Sequence, residues 1–335
     1  MRNIDKLRGC LIGGAAGDAL GYAVEFLHEG QIFSLYGNEG ITEYTLRNGF
    51  ARISDDTQMT LFTAEGLLLA DHCADINSIR NMYKCWYRTQ TEKYPLPDKT
   101  NSSLMEVPEL FRRRSPGKTC MSEIKKGARG TIMYPANNSK GCGGLMRVAP
   151  IGLYFADSGV SYVASDTCAQ DVAALTHGHD LGIIPAAALA HIVRRVTESD
   201  VQLKDAVNNS IDVMKVLFSD SEYIFDFVFL MQKAVQLAET EMDDISAIHK
   251  LGEGWVAEET LAIALYCALK YSDDFDKAMI AAVNHSGDSD STGSVCGNIL
   301  GAYLGYSSIP QKYKAHLELH DLIIRMADDL CEKKL

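Results

Sequence analysis

The sequence predicts an all-α fold, and three observations carry that expectation. Apolar residues recur at helical spacing, as in Leu261, Leu265 and Leu269, or in Leu319, Leu322, Ile323, Met326 and Leu330. Strand-like alternation is scarce: its best candidate, Ile41 to Leu46, is short and weakly patterned and reads as extended loop. Two segments carry glycine at every fourth position, Gly9, Gly13, Gly17 and Gly21, then Gly293, Gly297, Gly301 and Gly305, which lines one side of a helix. Glycine costs about 1 kcal/mol against alanine inside a helix, so eight such placements require a compensating gain. Close helix crossing supplies one, and the two striped helices are expected at the centre of the bundle.

From the N-terminus, Met1-Arg2-Asn3-Ile4-Asp5 lacks the apolar stretch of a secretory signal, and no run nears the roughly 20 apolar residues that cross a bilayer. A soluble, cytoplasmic monomer that engages no membrane is expected. The chain has 335 residues, 47% hydrophobic and 23% charged, which excludes disorder. A net charge of −12 disfavours general nucleic-acid binding, so any phosphate-bearing ligand must be held locally. Nine cysteines, scattered singly with no C-x-x-C pair, suggest reduced core filler rather than disulfides or zinc.

Ser54-Asp55-Asp56-Thr57 precedes a helical pattern carrying Met59, Phe62 and Leu69. Capping explains a Ser or Asp at a helix start; two adjacent carboxylates exceed that need. Five of the eight prolines fall between residues 95 and 135, together with Arg112-Arg113-Arg114 and Lys125-Lys126. This reads as a long surface excursion of one domain, 1–335, with the basic cluster as a solvated face. Gly141-Cys142-Gly143-Gly144-Leu145-Met146-Arg147 is a flexible loop that either turns the chain or offers bare amides to a diphosphate. Of the histidines, His177 suits a ligand contact or a structural role, His191 belongs with the apolar pattern around it, and His285 fits either. Residues 195–250 carry no motif. Trp255, beside Gly252 and Gly254, is a buried aromatic or a face for a base or ribose.

The second acidic cluster is Gly287-Asp288-Ser289-Asp290-Ser291-Thr292-Gly293, at the mouth of the second striped helix. Its carboxylates have no neutralising cations nearby, a repulsion that a divalent metal would relieve. If Asp55, Asp56, Asp288 and Asp290 converge with the hydroxyls of Ser54 and Ser291, the donor set is all oxygen. That suits two Mg²⁺ or Mn²⁺ ions rather than zinc or copper.

Several runs, in their order, resemble the ADP-ribosylglycohydrolase family: Gly17-Asp18-Ala19-Leu20-Gly21, the two acidic clusters, the loop from Gly141 to Arg147, Thr176-His177 and Gly254-Trp255. The resemblance implies a compact, orthogonally packed all-α domain with two Mg²⁺ or Mn²⁺ ions in a central cleft, cleaving α-linked ADP-ribose from a modified protein or small-molecule conjugate. By the same resemblance Ser54, Asp55, Asp56, Asp288, Asp290 and Ser291 fall at metal-ligand positions. Gly141, Cys142, Gly143, Gly144, Met146, His177, Gly254 and Trp255 fall where ADP-ribose is held, and Glu25 falls at the mobile catalytic-glutamate position. Glu25 or a metal-cluster aspartate, Asp55 or Asp56, would handle the proton. Serines at 54 and 291 and the G-C-G loop lean toward the arginine-specific branch. Three alternatives remain: a hydrolase of serine- or O-acetyl-linked ADP-ribose, a silent ADP-ribose-binding or crystallin-like protein, and a two-metal phosphoester hydrolase.

Overall fold

A computed structural model describes residues 2–70 and 75–333. The described chain folds into α1 (Ile4–Gly21), α2 (Glu29–Tyr36), a hairpin of β1 (Leu46–Arg47) and β2 (Phe50–Ala51), α3 (Asp55–Leu68), α4 (Ile76–Thr91) and α5 (Lys118–Lys125). There follow α6 (Ala149–Phe155), α7 (Tyr162–Ala174), α8 (Asp180–Glu198), α9 (Leu203–Leu217), α10 (Ile224–Ala238) and α11 (Asp244–Leu251). The last are α12 (Ala257–Lys270), α13 (Phe275–Val283), α14 (Ser289–Leu304), α15 (Gln311–Lys314) and α16 (His320–Glu332). The all-α expectation holds. No described helix is long and apolar enough to cross a membrane.

α1 and α14 form the axis. A Cβ built on Gly9 would lie 2.2 Å from the Gly301 carbonyl oxygen, one on Gly13 2.3 Å from that of Gly297, and one on Gly17 1.9 Å from that of Gly293. Ascending residues on one helix meet descending residues on the other, so the pair is antiparallel and in backbone contact along both glycine stripes. α8, α12 and α13 pack against α14, while α3 and α16 lie against α1. One apolar cluster extends from Leu7 to Leu330.

The loop expected at 41–46 holds through Thr45 and gives way to the hairpin at Leu46. Leu46 pairs with Ala51 and Arg47 with Phe50, across Asn48 (φ 56°) and Gly49 (φ 84°). Asn-Gly with two positive φ values is the preferred two-residue hairpin turn. The signal was present in Asn48-Gly49, but strands of two residues give alternation nothing to register.

The proline-rich stretch is also less detached than its composition suggests. Leu104, Met105, Leu110, Cys120 and Ile124 are buried. The buried Glu65 of α3 accepts hydrogen bonds from Ser103 N (2.6 Å), Ser103 Oγ (2.6 Å) and Leu104 N (3.3 Å), and another from the Ser102 hydroxyl. Arg114, expected on a solvated face, is 9% exposed and donates to Glu318 at 2.9 Å. Arg112 and Arg113 remain exposed. A residue-by-residue charge reading cannot see that one guanidinium of three has a half-buried carboxylate as its partner.

Eight cysteines are free thiols, and Cys73 lies outside the described residues. His191 is buried, with Nδ1 2.9 Å from Asp166 Oδ2 and Nε2 3.1 Å from Asn209 Oδ1, a structural role.

Candidate active site

The antiparallel crossing of α1 and α14 puts the start of α14 beside the end of α1, and the start of α3 is fastened to the same place. Asp18, buried within α1, accepts hydrogen bonds from Ser54 N through both carboxylate oxygens (2.9 and 3.0 Å), from Thr57 N (3.1 Å) and from the Thr57 hydroxyl. Ser54 is the N-cap of α3, its Oγ accepting from Asp56 N at 3.1 Å. With capping done by Ser54 and Asp18, the carboxylates of Asp55 and Asp56 are released from that duty. Asp55 Oδ2 accepts from Gly117 N at 3.0 Å, and Asp56 Oδ2 is buried with no partner.

At the start of α14 the carboxylates do the capping themselves. Asp288 is its N-cap, and Ser291 N donates to both Asp288 Oδ1 (3.4 Å) and Asp290 Oδ1 (3.0 Å). The Cys142 thiol donates to Asp288 Oδ2 at 2.9 Å, tying the glycine loop to the acidic cluster. His285 belongs to the scaffold: its Nε2 lies 3.0 Å from Thr292 Oγ1 and 3.0 Å from Ala282 O.

A cavity of about 420 Å³ lies where these segments meet. Its lining includes Glu25, Asp55, Asp56, Gly141, Cys142, Gly143, Met146, His177, Trp255, Asp288, Asp290 and Ser291. Residues separated by more than 260 positions therefore face one space, with two helix N-termini at its edge. Ser54, Gly144 and Gly254 are not among its lining. Ser54 is wholly buried as a cap, and Gly254 (φ 83°) is pressed against α14, where a Cβ would meet Thr292 Cγ2 at 2.8 Å.

Electrostatically the site is crowded with acid. Burial, then the charges of Asp288 and Asp55, push Glu25 up to about 9. Burial raises Asp55 to about 8, with the charges of Asp18 and Asp288 adding to it. Asp56 and Asp290 are held well above the usual carboxylate range by burial and by neighbouring carboxylates. Asp18 rises less, to about 6, because four hydrogen bonds to its anion oppose the burial. Glu25 Oε2 is a second buried oxygen without a partner. In charge and donor type the residues present suit hard divalent cations. Among the described residues, however, no three His, Cys, Asp or Glu side chains are gathered closely enough to form a metal cage by themselves.

The glycine loop is positioned from behind. The Arg147 guanidinium, fully buried 4.3 Å from the Tyr83 ring centroid, donates to Thr176 Oγ1 at 2.7 Å and to Val172 O at 3.1 Å. Thr176 Oγ1 lies 2.8 Å from His177 Nδ1. The other ring nitrogen, Nε2, lies beside Gly141 and Gly143. Burial lowers His177 to about 3, with Arg147 adding to the effect. At the rim the exposed Trp255 and Phe26 rings stack, 6.3 Å apart and 17° from parallel. Cys142 N donates to Trp255 O at 3.4 Å, joining the loop to the tryptophan segment.

Sequence reasoning gave no role to Asp18, Phe26 or the segment Ser115 to Cys120, all of which build the site. For Asp18 a signal existed, an acid inside the helical stretch 9–21, which is otherwise made of small and apolar residues. For the others there was none, since their place depends on how the proline-rich stretch folds back.

Three comparisons bear on this geometry. The ADP-ribosylglycohydrolase family model matches residues 1–334. The chain is 25% identical to the ADP-ribosylhydrolase ARH3 of Mus musculus, covering 95% of this chain and 88% of that one. It is 24% identical to the ADP-ribosylarginine hydrolase Tri1 of Serratia proteamaculans (98% and 79%) and to the ADP-ribosyl-[dinitrogen reductase] glycohydrolase of Rhodospirillum rubrum (94% and 91%). A solved structure, an ADP-ribosylglycohydrolase-related protein complex, shares the fold with TM-score 0.68 at 24% identity, over 99% of both chains.

Proposed function

The chain belongs to the ADP-ribosylglycohydrolase family, and from that premise we propose that it hydrolyses the α-N-glycosidic bond joining ADP-ribose to an arginine side chain of a modified protein. The observation that carries this reading is the single cavity shared by Asp55, Asp56, Asp288, Asp290 and Glu25 with the glycine loop, His177 and Trp255. An acid-lined pocket with a neutral, donor-rich wall matches a ligand whose reacting sugar develops positive charge while its diphosphate carries negative charge.

Asp55, Asp56, Asp288, Asp290 and Ser291 would hold two Mg²⁺ or Mn²⁺ ions, whose contribution when bound is to fix vicinal ribose hydroxyls and lower the pKa of a water. Ser54, at the base of the same cluster, keeps Asp56 in place through its cap. The Nε2–H of His177 and the backbone of Gly141 and Gly143 hold the diphosphate, with Cys142 and Met146 closing the wall. Trp255 offers its face to the base or ribose. Glu25 handles the proton of the departing guanidine, and the aspartates beside it stabilise the oxocarbenium-like transition state. The arginine linkage is supported by the serines at 54 and 291, by the G-C-G loop, and by full-length similarity to a protein named an ADP-ribosylarginine hydrolase.

Purified protein with Mg²⁺ is expected to release ADP-ribose from arginine-modified protein faster than from serine-linked or O-acetyl-linked ADP-ribose. Asp55→Ala and Asp290→Ala are each expected to lower the rate at least 100-fold. Turnover unchanged in either variant would overturn the metal role. Tight ADP-ribose binding without product would turn the reading to a silent binding protein.

A further inference from the structure

The cavity does not end at Glu25. Glu25, Phe26 and Ser115 also line a second depression of about 250 Å³, whose far wall is Thr45, Arg47 and Arg52. Arg47 and Arg52 in turn line a third, of about 510 Å³, together with Arg112, Arg114, Glu109 and Glu318. The shared residues make one trough that leaves the acidic pocket past Glu25 and becomes basic within a few residues. Of its four guanidiniums, only Arg114 is ion-paired, with Glu318. Among the described residues, Arg47, Arg52 and Arg112 enter no ion pair, and all three reach solvent. In a protein of net charge −12 this grouping is out of keeping with the average surface. Two of these arginines flank the Asn48-Gly49 hairpin, whose sharp turn holds them at the trough wall.

The direction of the trough decides what it meets. Glu25 stands where the leaving group departs, and the glycine loop and His177 lie elsewhere on the pocket wall, so the trough receives the acceptor side of the scissile bond. This step rests on the hydrolase reading above. We infer that Arg47, Arg52 and Arg112 form an acceptor subsite for a protein segment carrying acidic side chains next to the modified residue. Guanidinium forks pair bidentately with carboxylates, and separated cations at a rim steer and select charged partners. Glu109 and Glu318 interrupt the basic wall, which suits discrete carboxylates better than the continuous charge of a nucleic-acid backbone.

The test uses the full chain with Mg²⁺ and three ADP-ribosylarginine peptides, flanked by Asp/Glu, by Ser/Gly or by Lys, alongside free ADP-ribosylarginine. The acidic peptide is expected to exceed the lysine peptide in kcat/KM by roughly tenfold, equivalent to two exposed ion pairs, with the advantage shrinking as salt rises. Arg47→Glu/Arg112→Glu, both at exposed positions, is expected to erase or invert that order while leaving turnover of free ADP-ribosylarginine unchanged. Equal kcat/KM on all three peptides, or a preference untouched by the double variant, overturns the subsite. So does faster release from ADP-ribosylated oligonucleotide than from any peptide. Absence of turnover on all four arginine substrates would instead indict the hydrolase reading, and an unchanged Tm shows that the variant is folded.

Discussion

At the scale of single residues, the site is built by side chains that release others from structural work. Asp18 satisfies the amides at the start of α3, so Asp55 and Asp56 need not. Arg147, through Thr176, holds the His177 ring in place. Burying His177 as the neutral ring has a consequence for stability. Its pKa falls from 6.5 unfolded to about 3 folded, so the unfolded chain takes up a proton first as pH drops. The stabilisation is complete above pH 6.5 and is lost as pH falls from there toward 3. Urea unfolding of the wild type between pH 6 and 4 is therefore expected to lose up to about 1.4 kcal/mol per pH unit more than His177→Gln. Parallel pH profiles for the two proteins would refute the buried neutral ring. His177 was legible in the sequence as a candidate. The support it receives from behind was not, because Arg147 is thirty positions away and looks like the end of a loop.

At the scale of elements, the α1–α14 pair shows tertiary packing overriding propensity. Alanine at position 13 would gain about 1 kcal/mol of helix propensity, but its Cβ would sit 2.3 Å from the Gly297 carbonyl oxygen, where only backbone can yield. Overpacking of this kind costs about 1–3 kcal/mol or more, and here it displaces α14, which carries one acidic cluster, against α1, whose Asp18 anchors the other. Gly13→Ala is thus expected to destabilise by about 2 kcal/mol and to lower activity, read by chemical denaturation and initial rate. Gly30→Ala in α2, where a Cβ meets nothing within 4 Å, is expected to be neutral or to stabilise by up to about 1 kcal/mol. Equal effects at the two positions would show that intrinsic propensity, not contact, governs both. The stripes were legible because they violate propensity at a fixed period. The hairpin was not, because its strands are too short for any period to emerge.

At the scale of the whole molecule, folding drives like charges together. Asp18, Asp55, Asp56, Asp288, Asp290 and Glu25 come from three distant segments and are brought into one buried neighbourhood, which is unfavourable until a counter-charge arrives. Asp290→Asn is accordingly expected to raise the Tm of protein stripped with EDTA, by relieving repulsion, and to reduce the further rise that Mg²⁺ produces in the wild type. A variant less stable than wild type without metal, yet equally stabilised by Mg²⁺, would remove Asp290 from the cation site. The fold's excess acidity and its basic trough are then two parts of one charge pattern, negative in the cavity of Asp55, Asp56, Asp288 and Asp290 and positive along Arg47, Arg52 and Arg112.

The sequence alone determined the helical class, the intimate helix pair and the acidic runs, because each is a local pattern of spacing or composition. Tertiary structure alone decided that the two acidic runs face one cavity, that Asp18 and Arg147 serve it from behind, and that one arginine of three is buried while its neighbour lines the trough. Those facts depend on which distant segments touch, and contact across hundreds of residues is set by the sum of packing over the whole chain rather than by any window of it.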